Sequence, residues 1–477
     1  MSFQLSPEVD GNKVFLVRSS EIEGRLDPNF ISISRRLKGK FNSSPFEFVK
    51  FGKCIEYIQY GISLLANKEE KGMPIVRMNN LKGDEWDFSD IKHIELSEAE
   101  LNNYILSHGD LLFNRTNSKE LVGKCGVFRE SGDWVFASYL IRVRTNVKKL
   151  LPDFASFFLG SSIGRLQIDC LSRQIIGMTN INAEEIKLIQ VPIPPLEIQS
   201  AIVAKMDTAY STKKEKEAEA ERLLNSIDDY LLRELGIEMP EQEENTVQSR
   251  IFTRRFSEIS GGRFDPYCYK PVYEQNLEQI AKGKYPFKKI GEIALDIKNG
   301  VEIRTYSETG YRYLRVTDLG SHSINEHSPR YVTADEIPSK IKLDKNCILI
   351  SRSGSLGLVN VVEEKIIDAI LSSHIFKVKL DSSCITPDYA VSFLRSKTGQ
   401  LEIFKRNNGG VIPEINQTAL KQIIIPLPPL PKQTEIADHI TRIRNNAKQL
   451  KQEAKQGLEQ AKQEVEAMIL GEDSSDA

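Results

Sequence analysis

The sequence predicts an α+β protein that is a tandem repeat of two mixed α/β domains, each followed by a long helix, with the two helices pairing as a coiled coil. Three observations predict this fold class. The same sequence motifs occur once in each half of the 477 residues, each copy contains short strand-like runs, and each copy closes with a long stretch that is almost free of helix breakers. A chain of this length has room for several domains of ordinary size.

The repeat is visible in motifs that return in the same order. Ser-Glu-Ile-Glu-Gly-Arg-Leu-Asp-Pro at 20–28 returns at 257–266 with one inserted residue. Asp-Leu-Leu-Phe-Asn-Arg at 110–115 returns as Cys-Ile-Leu-Ile-Ser-Arg at 347–352. Because the offset between matching landmarks stays close to half the chain length, we infer that two copies of one module are fused.

The first part of each copy is typical of mixed α/β structure. Runs at 75–78, 110–113 and 348–350 have the length of strands and are bounded by Gly, Asn, Asp or Ser. Pro152-Asp153 and Pro387-Asp388 are typical of helix starts, because proline fits the first helical turn.

The second part of each copy predicts a long helix behind a proline-rich segment. Val-Pro-Ile-Pro-Pro-Leu at 191–196 returns as Ile-Pro-Leu-Pro-Pro-Leu at 425–430, and these prolines predict an extended segment before each helix. Neither Pro nor Gly follows until Gly236 in the first copy, and after Pro431 in the second copy Gly457 is the only interruption before Gly471. Each helix of about 40 residues would span roughly 60 Å.

Apolar residues on both helices follow the spacing of a coiled-coil seam. The residues predicted to pack one helix on the other are Ile202, Met206, Leu224, Ile227, Leu231, Ile436, Ile440, Ile443 and Leu450. The alternative is that each helix packs on its own domain, since the middle of the first helix, 211–219, is polar all round.

These features predict the domain boundaries. The segments are a first globular domain at 1–190, a first helix at 191–236, a linker at 237–250, a second globular domain at 251–425, a second helix at 426–470 and a disordered tail at 471–477.

Charge is distributed unevenly over these parts. The formal net charge of the chain is −2, which excludes a polybasic coat on nucleic acid or on an anionic membrane. The globular parts 1–196 and 251–425 carry +1 and +5, whereas the helical parts 197–250 and 426–477 carry −6 and −2. The globular modules are therefore the better candidates for an anionic ligand.

Most catalytic and targeting signatures are missing from the sequence. No apolar stretch is long enough for a membrane span, and the first residues lack the pattern of a secretory signal. Six scattered cysteines without a C-x-x-C pair predict reduced thiols in the cytoplasm and no zinc site. Phosphate-binding loops, nucleophile elbows and the methyltransferase tetrapeptide [ND]-P-P-[YF] are also missing, so we expect neither a catalytic site nor a metal in this chain.

One pattern resembles a metal-dependent nuclease. Pro152-Asp153 and Glu185-Ile-Lys187 match a PD…(D/E)-x-K arrangement, in which carboxylates hold Mg²⁺. The second copy keeps Pro387-Asp388 but has Ala419 where the first has Glu185. The repeat therefore disfavours a nuclease.

Polar side chains that follow short apolar strands are the candidate DNA contacts. An arginine offers paired donors to guanine, and hydroxyls or amides suit phosphates. The candidates are Arg77, Asn79, Arg115, Thr116, Asn117, Ser118, Lys119, Arg173 and Gln174 in the first copy, and Arg315, Thr317, Arg352, Ser353, Ser355, Lys405, Arg406, Asn407 and Asn408 in the second. The alternative for each arginine is an ion pair with a nearby carboxylate, which would make it part of a structural turn.

The tandem motifs resemble the specificity (S) subunit of type I restriction-modification systems. The resemblance covers almost the whole chain, and its most specific piece is P-P-L-x-x-Q before a long helix, found at 194–199 and again at 428–433. It implies two target recognition domains, 1–190 and 251–425, that each read one half of a bipartite site in double-stranded DNA. It also implies two conserved helices that act as a spacer.

The same resemblance implies partners and the absence of catalysis. Two methyltransferase (modification) subunits would dock on this chain, together with restriction subunits in the full complex. S-adenosylmethionine, ATP and Mg²⁺ would belong to those partners, and this chain would need no cofactor. Two alternatives stay open: the specificity subunit of a related restriction system whose partner fuses methylase and nuclease, and a two-headed protein-binding scaffold.

Overall fold

The computed structural model describes residues 16–17, 28–64, 66–67, 71–82, 85–175, 177–240, 246–248, 250–259, 264–320, 323–333, 343–408 and 410–471. Most of the motif at 20–28, part of its copy at 257–266, part of the predicted linker and residues 472–477 of the predicted tail lie outside the described residues.

Helices and strands alternate along the described chain in a pattern that occurs twice. The helices are α1 (Pro28–Ser43), α2 (Glu98–Tyr104), α3 (Pro152–Gly160), α4 (Ser162–Leu171), α5 (Ala183–Leu188), α6 (Leu196–Leu235), α7 (Phe256–Ile259), α8 (Pro271–Lys282), α9 (Ile290–Ile293), α10 (Pro387–Arg395), α11 (Lys397–Lys405), α12 (Gln417–Lys421) and α13 (Leu430–Leu470). The strands of the first copy are β1 (Phe48–Lys50), β2 (Ile55–Tyr60), β3 (Met73–Val76), β4 (Leu81–Lys82), β5 (Glu85–Trp86), β6 (Lys92–Ile94), β7 (Leu111–Asn114), β8 (Thr116–Asn117), β9 (Cys125–Val127), β10 (Val135–Phe136), β11 (Leu140–Thr145), β12 (Arg173–Ile175), β13 (Met178–Asn180) and β14 (Gln190–Pro192). Those of the second copy are β15 (Phe287–Lys289), β16 (Ala294–Asn299), β17 (Tyr311–Leu314), β18 (Arg330–Val332), β19 (Cys347–Ser351), β20 (Val359–Val361), β21 (Ile370–Leu371), β22 (Ile375–Leu380) and β23 (Ile424–Pro426).

The chain divides into two compact units, and each long helix contributes to both. Unit 1 comprises Met1–Lys216 and Gln452–Ala477, and unit 2 comprises Glu217–Lys451. Each unit therefore contains one globular body, the beginning of one long helix and the end of the other.

Three sheets of unit 1 have counterparts in unit 2, whereas the small sheets β12-β13-β8 and β4-β5 of unit 1 have no counterpart sheet among the described residues of unit 2. Unit 1 has an antiparallel sheet in the order β2-β11-β7-β9 and a mixed sheet in the order β10-β3-β6. Unit 2 has the matching sheets β16-β22-β19-β20 and β21-β17-β18, and in both units the short pair before the long helix is antiparallel, β1-β14 and β15-β23. The repeat inferred from the sequence is thus a repeat of structure.

The local sequence signals place the elements well. The runs at 75–78, 110–113 and 348–350 correspond to β3, β7 and β19, displaced by at most two residues. Pro152 and Pro387 open α3 and α10 as predicted. The prolines at 192 and 426 end β14 and β23, so the extended segments before the long helices are also confirmed.

A buried glutamine fastens the start of each long helix to its globular body. Gln199 of α6 accepts a hydrogen bond from the Leu151 backbone N–H (2.9 Å) and donates to the Lys149 and Pro194 carbonyls (2.8 Å each). Gln433 of α13 repeats all three bonds, with Thr386 N–H, Cys384 O and Pro428 O. Both side chains are fully buried. The glutamine of the P-P-L-x-x-Q motif therefore sets where the helix leaves the body.

The predicted seam residues lie in cores that both long helices share. In unit 1, Ile202 and Met206 of α6 belong to a cluster with Ala461 and Val465 of α13 and with residues of the globular body. In unit 2, a second cluster contains the remaining seam residues apart from Leu450, namely Ile227, Leu231, Ile436 and Ile440 in its interior, with Leu224 and Ile443 packed against it. Leu450 is half-buried. Apart from Leu450, the predicted seam residues of each long helix therefore pack against both the other long helix and the globular body of the same unit.

Contacts between side chains of α6 and α13 show that the two helices run antiparallel within each unit. In unit 1, Lys205 Nζ lies 2.5 Å from Glu464 Oε2 and Lys216 Nζ lies 2.7 Å from Glu453 Oε2. In unit 2, the rings of Tyr230 and His439 are 4.0 Å apart, and Lys432 Nζ lies 2.8 Å from Glu234 Oε2. As one number rises along α6, its partner's number falls along α13.

Glycine ends both long helices, as the sequence predicts. Gly236 and Gly471 have φ of 64° and 68°, a left-handed conformation that glycine adopts without a steric cost. A Cβ at Gly236 would lie 2.6 Å from Lys284 Cγ, and one at Gly471 would lie 2.6 Å from Pro45 Cδ. The end of α6 therefore packs closely on the body of unit 2, and the end of α13 on that of unit 1.

Two features bear on the environment of the chain. Among the described residues, no helix combines the length and the apolar character needed to cross a bilayer. None of the six cysteines forms a disulfide.

Candidate nucleic-acid interface

The same backbone frame holds two candidate segments side by side in both units. Arg115 follows β7 and Arg352 follows β19. The backbone N–H of Ile181 donates to Arg115 O, and that of Ile415 donates to Arg352 O, both at 2.9 Å. The segment after the strand is therefore bonded to the segment that precedes α5 or α12.

Unit 1 brings three candidate segments together. Strand β8 pairs with β13 of the β12–β13 hairpin, with Thr179 opposite Asn117. Asn117 Nδ2 also lies 3.5 Å from Met78 Sδ, next to the candidate Asn79. A shallow cleft between these segments is lined by Met78, Asn79, Leu81, Lys82, Asn114, Asn117, Leu121 and Lys124.

Unit 2 brings two candidate segments together. Ser353 and Glu414 form a single β-bridge, and Gly354 N–H donates to Pro413 O at 3.1 Å. In the part of the chain that the structure describes, no hydrogen bond or ion pair joins Arg315 or Thr317 to these segments.

The first arginine of each copy is held by a carboxylate. Arg77 donates to Asp90 O (2.8 Å) and Asp90 Oδ2 (3.1 Å). Arg315 forms a paired contact with Asp318, at 2.8 and 3.0 Å, which also raises the pKa of its guanidinium. Both arginines therefore form the ion pair with a nearby carboxylate that is the alternative to DNA binding. Their role in DNA binding stays a prediction.

The second arginine of each copy has a different neighbour. Arg352 forms an ion pair with Glu414, and its guanidinium carbon lies 5.6 Å from the centre of the Phe376 ring. Arg115 has its guanidinium carbon 4.8 Å from the centre of the Tyr60 ring and, among the described residues, forms no ion pair with a carboxylate. An arginine over an aromatic ring keeps its N–H donors available to a further acceptor. Arg115 is therefore the better placed of the two to bind a phosphate or a guanine.

The other candidates divide into exposed side chains and internally bonded ones. The exposed candidates are Asn79, Ser118, Lys119, Thr317, Ser355 and Asn408, together with Arg173, which is exposed and also paired internally. Bonded or buried candidates are Thr116, which accepts from Asn180; Asn117, which accepts from Ser118 N–H; Arg173, paired with Glu185; Arg406, paired with Glu402; and Asn407, which accepts from Glu414 N–H. Ser353 and Lys405 are half-buried, burial lowers the pKa of Lys405, and the side chain of Gln174 lies outside the description.

Several exposed apolar side chains beside these segments escaped the sequence reasoning. Tyr139, Met178, Val411 and Ile412 all expose at least half of their surface. The available signal was an apolar pair inside the Gly-Gly-Val-Ile-Pro run at 409–413, where no strand or helix periodicity explains it.

The residues of the nuclease-like pattern have internal partners. Asp153 pairs with Arg129, and Lys187 pairs with Glu184 at 2.7 Å. Glu185 pairs with Arg173 and accepts from the Asn182 backbone N–H at the start of α5. Within the described ranges, no group of three or more His, Cys, Asp or Glu side chains could hold a metal ion.

A comparison with known protein families divides the chain into the same two copies as the sequence and the fold. The family model of the type I restriction modification DNA specificity domain matches twice, over residues 44–222 and 270–460. Each match spans one globular body and most of the long helix that follows it.

Relatives and a solved structure agree with that match. The putative type I restriction enzyme MjaX specificity subunit of Methanocaldococcus jannaschii is 23% identical over 402 residues, 82% of this chain and 84% of the relative. The type I restriction enzyme EcoKI specificity subunit of Escherichia coli (strain K12) is 32% identical over 171 residues, 35% of this chain and 37% of the relative. A chain from a solved structure described as "Structural basis underlying complex assembly and conformational transition of the type I R-M system" is 16% identical and covers 91% of this chain and 99% of its own length, with a TM-score of 0.50 that shows likeness of fold. The chain therefore belongs to the type I restriction-modification DNA specificity family and carries two copies of its domain.

Proposed function

We propose that this chain is the non-catalytic DNA sequence-recognition subunit of a type I restriction-modification complex. Each globular body reads one half of a bipartite site in double-stranded DNA, and the chain docks two methyltransferase subunits. The observation that carries the proposal is the duplicated specificity domain, whose frame is the same in both copies while its exposed segments differ. Variable segments on a constant frame are what two different half-sites require.

The charge of the chain supports a division of labour with its partners. The globular parts carry a net positive charge of only a few units, which is low for a protein that must hold DNA by itself. The methyltransferase subunits then supply much of the phosphate contact, together with S-adenosylmethionine. ATP and Mg²⁺ belong to restriction subunits where these are present. Such a complex acts on chromosomal DNA in the cytoplasm.

Co-purification with the cognate methyltransferase, followed by methylation mapping across the genome, tests the proposal. We expect a stable complex and one methylated motif with two short specific parts separated by unspecified bases. A complex that forms without DNA dependence and methylates nothing would favour a protein-binding scaffold. A partner that carries both methylase and nuclease activity in one chain would place the protein in the related restriction system instead.

The purified chain alone provides a second test. We expect no Mg²⁺-dependent cleavage and only weak, unspecific DNA binding at physiological salt. Tight and specific binding by the isolated chain would contradict the division of labour, and cleavage would contradict the non-catalytic role.

A further inference from the structure

We propose that apolar side chains at the tips of matching projections determine specificity by contacting the nonpolar surface of bases in each half-site. These side chains, called here the apolar tips, are Met178 in unit 1 and Val411 with Ile412 in unit 2. The inference rests on the proposed function, because it names contacts within the two reading surfaces.

The projection in unit 2 is held firmly at its base. Asn408 N–H donates to Glu414 O at 2.8 Å, and Glu414 N–H donates to Asn407 Oδ1 at 2.8 Å. Pro413 O accepts from Gly354 N–H, which ties the projection to the segment after β19. Bonds at the base reduce the conformational entropy that the tip would lose when it binds a partner.

The tip of this projection is apolar and faces solvent. Val411 is fully exposed and Ile412 is 60% exposed. A scattered exposed hydrophobic residue is ordinary on a protein surface, but these two adjacent ones at the end of a tied loop leave most of their apolar surface uncovered by the fold. Their apolar surface is available for a ligand.

Unit 1 offers the same chemistry at the matching position. Met178 is 54% exposed at the first position of β13, beside the turn of the β12–β13 hairpin. Because Thr179 lies opposite Asn117 in the adjoining strand pair, Met178 flanks the exposed candidate Ser118. The two units thus place an apolar tip beside polar side chains suited to phosphates, although the residues that form the tips differ.

The nonpolar surface of DNA bases is the partner that fits this arrangement. The thymine methyl group in the major groove accepts apolar contacts, and an apolar side chain can also press between bases at a flexible step. Both sources present the apolar surface of a base beside phosphates. A protein partner would need no polar phosphate-binding groups around the tip.

Paired substitutions in the complex with the methyltransferase test the inference. The variants are Val411→Ser with Ile412→Ser for unit 2 and Met178→Ser for unit 1, and Val147→Ser serves as a control for loss of an exposed apolar side chain elsewhere in unit 1. Duplexes that carry the mapped target are titrated with each complex, with single base changes confined to one half-site.

We expect each variant to weaken binding about tenfold, with discrimination reduced at one half-site and unchanged at the other. Replacing thymine by uracil in that half-site should weaken the wild type and leave the variant unchanged if the methyl group is the contact. A rise in 2-aminopurine fluorescence on binding, lost in the variant, would identify a base step as the contact. The Val147→Ser complex should bind like the wild type.

Three results would overturn the inference while the proposed function stands. They are wild-type affinity in all tip variants, equal loss at both half-sites, and loss of methyltransferase assembly with unchanged DNA discrimination in the complex that remains. A wild-type complex that recognises no bipartite site would instead overturn the proposed function itself.

Discussion

The two modules differ in their exposed segments and hardly at all in the frame that carries them. Gln199 and Gln433 make the same three hydrogen bonds, and the bonds that hold Arg115 and Arg352 beside the following segment have the same length. Yet Arg115 stacks over Tyr60, whereas Arg352 is paired with Glu414. The comparison teaches that duplication preserved the buried polar contacts, whose loss is costly, and left the surface side chains to diverge.

One buried polar position differs between the two units. Gln167 of unit 1 donates to Gln190 O (3.0 Å) and accepts from Gln190 N–H (2.8 Å), which fastens α4 to β14. The matching residue in unit 2 is Glu402, which the Ile424 backbone N–H bonds in the same way. Burial raises the pKa of Glu402, and its Oε1 has no hydrogen-bond partner. An ionised carboxylate cannot donate the bond that the Gln167 amide provides.

The largest effect should come from shortening both long helices together, since these are the segments that the two units share. Removing residues 212–218 and 451–457 takes seven residues from each helix and removes Lys216 and Glu453 as a pair. Both half-sites should be kept while their separation shrinks by about 10 Å, or about three base pairs. Methylation at the original target should be lost and appear at the shorter one.

Methylation mapping measures this outcome directly. Removing only 212–218 is the matched control and should abolish methylation, because the two helices then no longer pair in register. An unchanged spacing in the double deletion would show that the helices do not set the distance.

The next largest effect should come from the buried glutamines, where the modules are alike. Replacing Gln199 by Leu leaves two carbonyl groups and one N–H without a partner in unit 1, so we expect a loss of about 2–4 kcal/mol. Gln433→Leu should cost a similar amount in unit 2. Denaturant unfolding with hydrogen exchange by mass spectrometry assigns the loss to one unit, and the exposed Ser200→Ala is the control. Unequal costs above about 1 kcal/mol would break the equivalence of the frames.

A smaller effect should follow from the arginines, where the modules differ. Arg115→Ala and Arg352→Ala should each weaken only the half-site read by their own unit, about tenfold for Arg115. The loss at Arg352 should be smaller, because this side chain must first leave Glu414. Binding titrations with duplexes altered in one half-site measure both. Equal losses at both half-sites for Arg352→Ala would indicate a general structural role.

The smallest effect should come from exchanging the buried pair. Glu402→Gln should raise the stability of unit 2 by about 1 kcal/mol at neutral pH, and Gln167→Glu should lower that of unit 1. Because the folded pKa of Glu402 is raised, its favourable contribution is complete below the unfolded pKa of about 4.5 and is lost as the pH rises through the folded value. The advantage of Glu402→Gln should therefore grow from acid to neutral pH in unfolding experiments. A difference that does not change with pH would show that Glu402 does not titrate in this range.

The sequence predicted the frame well, because local signals specify it. Proline and glycine mark the bounds of α6 and α13, and the repeat itself exposed the duplicated sheets. Periodicity also located Ile202 and Met206 on a buried face, but it could not say that Ala461 and Val465 of the other helix would help to cover them. A hydrophobic period identifies which face is buried and not its partner.

The strand ends that carry the candidate DNA contacts were predictable from the sequence, whereas the internal partners of those side chains were not. Arg77, Arg315 and Arg352 directly follow β3, β17 and β19, as the sequence predicts, while their carboxylate partners come from folding in three dimensions. Only Asp318, three residues from Arg315, was close enough in sequence to suggest a pair. The apolar tips are not apparent from the sequence, because the residue types that mark a DNA contact there are those that donate or accept hydrogen bonds.

Unit 1 is formed by two separate stretches of the chain, and this has a consequence for folding during synthesis. Its core contains Ala461, Val465 and Ile469, so it cannot close until the end of α13 has left the ribosome. Unit 2 is continuous in sequence and is completed earlier. Domains usually fold in the order in which they emerge, N-terminal first. Here we expect the reverse order. The apolar face of the first globular body stays uncovered until the end of α13 is available, and during that time chaperones and proteases can bind it.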